Sequence, residues 1–137
     1  MIRAVIDTNV LVSGLLTRSG NEALILLAVV QGFVRPCLSD AILAEYTEVL
    51  TRGKFGFDPD TVADLLSMLR DRGEQVEPDG RGGVLPDAGD DRFLFCAEAA
   101  NAEYIVTGNK RHFPQALCGV IKIVNAAELL DWITLAI

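Results

Sequence analysis

Ile2-Arg3-Ala4-Val5-Ile6-Asp7-Thr8-Asn9-Val10 decides how the chain is read. Ile2 to Ile6 is a short apolar run with β-branched residues, the pattern of a buried strand. It stops at three polar residues, and apolar residues resume at Val10, Leu11 and Val12. A carboxylate at the carboxyl end of a buried first strand stands where open α/β sheets place their ligand crevice. By this stretch alone, capping of the next helix is an equally good use of Asp7.

Working outward, Val10 to Leu16 reads as one or two helical turns. Ser19 with Glu22 matches a capping box and predicts a helix through Val30, ended by Gly32. That helix is apolar on nearly every side, so it must be buried or lie against a partner chain. Phe33 to Leu38 reads as a second strand. Ser39 then caps a helix to about Arg52, with Ile42, Tyr46, Val49 and Leu50 as its apolar stripe. Glu45 falls at the margin of that stripe, an acid aimed towards the protein body. Asp60 or Thr61 is the expected start of a helix over 62–70, followed by a charged edge strand over 74–77. Pro78 to Gly89 is a loop rich in glycine. Then come a helix from Asp91 to about Asn101, a strand Tyr104 to Val106, and the polar loop Thr107 to Pro114. A strand Val120 to Val124 and a helix from Ala126 to about Leu135 close the chain. Strands alternating with helices predict an α/β, three-layer fold over 1–137 as a single domain. Its sheet should be parallel, with four to five strands and helices on both faces.

The formal net charge of −7 argues against broad, non-specific nucleic-acid binding, which needs a basic surface. Cys37, Cys96 and Cys118 are widely spaced and odd in number, so neither a zinc site nor a disulfide framework is indicated. Met1 runs directly into the first strand, and the longest apolar run, Ala23 to Val30, is far too short to span a bilayer. The expectation is a soluble, cytoplasmic protein with no membrane partner.

Parallel strands joined by right-handed crossovers put their carboxyl ends on one edge. Asp7 and the segment Thr107 to Asn109 both reach that edge, and Glu45 could lean in from the side. Asp91 joins them if its loop returns to the same rim. Carboxylates converging in one crevice repel one another and are costly without a cation. Oxygen ligands of this kind suit Mg²⁺ or Mn²⁺, which can activate water for attack at phosphorus.

Four stretches resemble a known family. Val5-Ile6-Asp7-Thr8-Asn9-Val10-Leu11-Val12-Ser13 is similar to the opening motif of PIN domains, and Leu38-Ser39-Asp40-Ala41-Ile42-Leu43-Ala44-Glu45-Tyr46 to the second. Pro86-Asp87-Ala88-Gly89-Asp90-Asp91-Arg92-Phe93-Leu94 resembles the third, and Tyr104-Ile105-Val106-Thr107-Gly108-Asn109 the fourth. Any one motif is weak, but four in order at the expected spacing are strong. The bacterial PIN proteins grouped with VapC-type toxins look most similar.

The resemblance implies a ribonuclease that uses Mg²⁺ or Mn²⁺, one or two ions, and leaves a 5′-phosphate and a 3′-hydroxyl. Asp7, Glu45 and Asp91 would be its catalytic, metal-binding acids, joined at the metal by Asn109. Thr8, Asn9, Ser13, Asp90 and Thr107 would support them from behind. Lys110, Arg111 and Arg18 would hold substrate phosphate, with Arg52 and Lys54 as further candidates. Many relatives carry an aspartate where this chain has Asn109, whose amide brings no charge; Asp87 or Asp90 could compensate. His112 reads as a solvated loop residue and Trp132 as core, while Leu135 and Ile137 end the chain as core or as a subunit contact. A homodimer, an RNA substrate and an antitoxin protein are the partners the resemblance suggests. The main alternative is a PIN-fold RNA- or partner-binding module too depleted to cleave. A phosphatase or receiver-like domain fits less well, because the lysine it expects after the last strand is here Lys122, inside that strand.

Overall fold

The computed structural model describes residues 1–79 and 83–136, the last two by backbone only. Five strands form one all-parallel sheet: β1 (Ile2–Ile6), β2 (Val34–Leu38), β3 (Glu74–Gln75), β4 (Tyr104–Val106) and β5 (Lys122–Val124). Their spatial order is β3-β2-β1-β4-β5. Ala4 pairs with Pro36 on one side and with Tyr104 on the other, so β1 is the central strand. Among the described residues six α-helices flank the sheet: α1 (Thr8–Leu16), α2 (Asn21–Val30), α3 (Asp40–Leu50), α4 (Pro59–Arg72), α5 (Asp91–Ala100) and α6 (Ala126–Ala136). This is the α/β architecture the alternation predicts.

Central position explains the unbroken apolar character of β1. Ala4, Val5 and Ile6 are buried, as are Ile105 and Val106 of β4 beside them, the pattern of parallel strands covered on both faces. The ladder continues past both strand ends: the Asp7 amide donates to the Val106 carbonyl at 2.9 Å, and the Thr107 amide to the Val124 carbonyl at 2.9 Å. Asp7 and Thr107 therefore stand side by side on the carboxyl edge. At the far edge, Gly73 joins α4 to β3 where a Cβ would lie 2.5 Å from the Leu69 carbonyl oxygen and 2.8 Å from that of Pro36.

Ser39 caps α3 as expected, its Oγ accepting from the Ile42 amide at 3.2 Å, and Ile42, Leu43, Tyr46 and Leu50 form the buried face. Several local expectations need correction. The Ser19–Glu22 capping box does not form. The Gly20 amide donates to the Thr17 carbonyl at 3.2 Å, so the chain is still turning, and α2 starts at Asn21 with no side-chain cap. Helix α4 begins at Pro59, before Asp60, because Asp58 accepts from the Asp60 amide at 2.8 Å and proline fits a first helical position. Helix α2 buries only Ile25, Ala28 and Val29, leaving Leu24, Leu27 and Val30 exposed. Trp132 is not core: it is 45% exposed, with the Lys122 ammonium 5.4 Å over its ring. Ile137, and the side chain of Leu135, lie outside the described residues. Among the described residues, no single helix is long and apolar enough to cross a membrane.

Candidate active site

The carboxyl edge gathers acids from three elements. Asp7 follows β1 and is only 6% exposed. Although it occupies the capping position of α1, its side chain makes no cap hydrogen bond. Instead the buried Thr107 hydroxyl donates to its Oδ2 at 2.8 Å and itself accepts from the Asn109 amide at 3.0 Å. Burial pushes the Asp7 carboxyl above its ordinary range, and the charge of Glu45 adds to the rise, against the Thr107 hydrogen bond. The geometry thus separates the two uses of Asp7 that its own stretch left open.

Glu45 reaches the same edge from the middle of α3. The Thr8 hydroxyl donates to its Oε2, and Arg92 Nε lies 3.7 Å from its Oε1. On the very next residue, the Tyr46 hydroxyl donates to the Ile6 carbonyl, at the end of β1. That bond pins α3 against the strand end and so carries Glu45 to Asp7. The apolar stripe accounts for the burial of Tyr46 but not for its hydroxyl; its position next to an inward acid is the one signal that a polar aromatic there has a partner.

The third motif is where the structure departs most from the expected roles. Asp91 is buried, but its carboxylate accepts from three backbone amides: Gly83 at 2.9 Å, Val84 at 3.3 Å and Leu85 at 2.8 Å. Burial pushes its carboxyl up, and these three amides outweigh burial and hold it below its ordinary value. Asp91 therefore ties the incoming loop to the start of α5, its carboxylate taken up by those amides. Asp90, one residue earlier in a 3₁₀ turn, stands near enough to Asp7 for their charges to interact. Burial and then the Asp7 charge push its carboxyl from 3.8 to about 6, with Glu45 and Asp87 adding to the rise and His112 opposing it. Its Oδ2 is closed off from solvent and accepts no well-formed hydrogen bond; the nearest donor is His112 Nδ1, at 3.2 Å. Asp87, the other open candidate, is exposed and caps the same 3₁₀ turn through the Gly89 amide at 2.8 Å.

The fourth motif closes the rim. Asn109 Oδ1 accepts from the Arg111 amide at 3.2 Å, which turns its Nδ2 towards His112 Nε2, also at 3.2 Å. Asn109 thereby fixes the ring that faces Asp90, and its amide oxygen is already engaged. His112 is not a free loop residue: half-exposed, it lies against Asp90. Asn9 accepts from the Gly108 amide at 3.3 Å, joining α1 to this loop, and Ser13 is half-buried further along α1. Among the cations proposed for phosphate, Lys110 pairs with Glu128 at 2.6 Å and Arg52 with Glu48 at 2.8 Å. Lys54 lies over the Phe55 ring. Arg18 and Arg111 are exposed. The cation nearest the acids is Arg92, which sequence reasoning missed. It donates from Nε to the Gly89 carbonyl at 2.8 Å and from Nη1 to that of Ala41 at 3.4 Å, beside Glu45.

The structure thus brings together Asp7, Glu45 and Asp90, with His112 and Arg92 at the margin. Among the described residues, no three His, Cys, Asp or Glu side chains are close enough to enclose one ion as they stand. The chain's residues 3–111 match the family model of the PIN domain, a span that contains Asp7, Glu45, Asp90 and Arg92. The chain belongs to the PIN-domain family, and with that membership goes a nuclease-type function in general. The comparison with curated proteins gave no match.

Proposed function

We propose that the chain is a divalent-metal-dependent endoribonuclease with Asp7, Glu45 and Asp90 as its acids. The observation that carries this reading is that Asp7, Glu45 and Asp90 reach one crevice from three separate elements, where burial and neighbouring carboxylates push the carboxyls of Asp7 and Asp90 up. The donor set fits a hard cation: the groups are oxygen acids, and Asp90 Oδ2 is buried without a proper donor. When bound, Mg²⁺ or Mn²⁺ supplies Lewis acidity, lowering the pKa of water and neutralising charge on the phosphodiester. The residues of the chain do the positioning. Thr107 orients Asp7, Thr8 orients Glu45, and Asp91 holds the loop that presents Asp90. Water attacks phosphorus, the P–O3′ bond breaks, and the products are a 5′-phosphate and a 3′-hydroxyl that takes up the proton.

The VapC-type reading, a toxin held by an antitoxin, is the finer form of this proposal. A homodimer would cover Leu24, Leu27 and Val30, which α2 leaves exposed. A binding module that does not cleave draws support from Arg92, which partly neutralises Glu45 from within the chain. Cleavage of total RNA in Mn²⁺, in Mg²⁺ and in EDTA separates the two. Metal-dependent cleavage lost in Asp7→Asn and Asp90→Asn supports the nuclease. RNA binding without cleavage supports the module.

A further inference from the structure

Beside the acidic crevice lies a cavity of about 540 Å³, within the size range of small-molecule sites. It is bounded by the first turn of α3 (Asp40, Ala41), the segment after β3 (Val76, Glu77, Pro78) and Arg92. We propose that this cavity is a subsite for one nucleotide of the substrate strand, with the phosphate at Arg92 and the base edge at Asp40 and Glu77. The proposal rests on the nuclease reading and names what that reading leaves open, the base preference next to the cleaved bond.

Arg92 is the wall the two spaces share. Its Nε is 3.7 Å from Glu45, on the crevice side, while the residue lines the cavity on the other. Of the five N–H groups of a guanidinium, backbone carbonyls accept from two, which leaves N–H groups for a phosphate oxygen. No other basic side chain lines the cavity, among the described residues. Arg92 therefore favours an anion where the cavity adjoins the acids. Asp40 and Glu77 bring the opposite chemistry to the same cavity. Glu77 is exposed, and Asp40 engages Gln75 through Oδ1 alone. Carboxylates there accept from the exocyclic amino groups of cytosine, adenine or guanine and oppose the carbonyls of uracil. Val76, Pro78 and Ala41 add apolar surface to the lining. A basic peptide would match the acids but set its charge against Arg92; a nucleotide matches both the guanidinium and the carboxylates.

The test is backbone amide NMR of the full chain in EDTA, titrated with cytidine 5′-monophosphate, uridine 5′-monophosphate and cytidine. The expected result is shifts at 39–41, 76, 77 and 92, with the cytidine nucleotide binding about 5-fold tighter than cytidine and than the uridine nucleotide. Arg92→Gln should erase the advantage of the phosphate. Glu77→Gln, at an exposed side chain that folding does not need, should erase the preference for cytosine over uracil. Absence of shifts at these residues would overturn the proposal, as would shifts with argininamide but with no nucleotide. Cleavage in Mn²⁺ without nucleotide binding here would sink the subsite and leave the nuclease standing. Binding here without cleavage would support the subsite and sink the nuclease.

Discussion

Replacing Asp90 and Asp91 separately by asparagine turns the internal difference between these neighbours into a measurement. The Asp90 carboxyl rises from 3.8 to about 6 in the folded chain. At about 1.4 kcal/mol per pH unit, this corresponds to about 3 kcal/mol at most. Its side chain is 15% exposed, so solvent screening brings the expected effect to about 1–2 kcal/mol. The sign follows from proton binding. Between pH 4 and 6 the folded chain holds more protons at Asp90 than the unfolded chain, so stability falls as pH rises through that window. Below it both states are protonated and the penalty is absent. Asp90→Asn should therefore unfold at higher urea than wild type at pH 8 in EDTA, by about 1–2 kcal/mol, with the gain vanishing near pH 4. Asp91→Asn should do the opposite. Its carboxyl is held low by amides at 2.8, 2.9 and 3.3 Å, so it stabilises the fold above the ordinary carboxyl range and less in acid. An asparagine there offers one acceptor oxygen for three donors and should cost about 2–3 kcal/mol at pH 8. Added Mn²⁺ should raise the stability of wild type and Asp91→Asn, and leave Asp90→Asn unmoved. A destabilised Asp90→Asn beside an unchanged Asp91→Asn at pH 8 would refute the reasoning and return the metal to Asp91.

Three further outcomes are expected. Gly73→Ala should cost about 2 kcal/mol or more, because its Cβ would lie 2.5 Å from the Leu69 oxygen; faster hydrogen exchange at the Val76 amide, which pairs with Leu38, would locate the damage at β3. Tyr46→Phe strips the Ile6 carbonyl of a buried donor and should lose about 1–2 kcal/mol in urea unfolding, with cleavage falling more than stability explains if α3 carries Glu45. The three cysteines are free and buried, and burial pushes the Cys37 and Cys96 thiols up to about 11 and about 12. A thiol reagent at pH 8 should modify none of them until urea is added. Rapid modification of the native chain would contradict their burial.

Much of the fold is legible in particular residues. The apolar runs of β1 and β4, Ser39 before α3 and the strand–helix alternation lead to a parallel sheet, because each is a local consequence of burial or capping. The failures are also local in form and non-local in cause. Ser19 and Glu22 have the letters of a capping box, but the turn at Thr17–Gly20 delays the helix. Trp132 has the composition of a core residue, yet its helix presents it to Lys122 and solvent. Asp7 and Glu45 could be placed from sequence because a strand end and a helix stripe give each a direction. The third motif puts Asp91 at the metal and Asp90 behind it, but nothing local sets their directions, since neighbouring residues at a helix start point about 100° apart and the rotation is set by the loop. That rotation depends on Gly83, Val84 and Leu85 returning to meet Asp91. The family, the parallel α/β sheet and the edge on which the acids stand follow from residue order, because spacing and burial pattern are written locally. The tying of Asp91 to the loop amides and the placing of Arg92 against Glu45 follow from packing, because they depend on backbone amides and carbonyls whose positions no side-chain letter records.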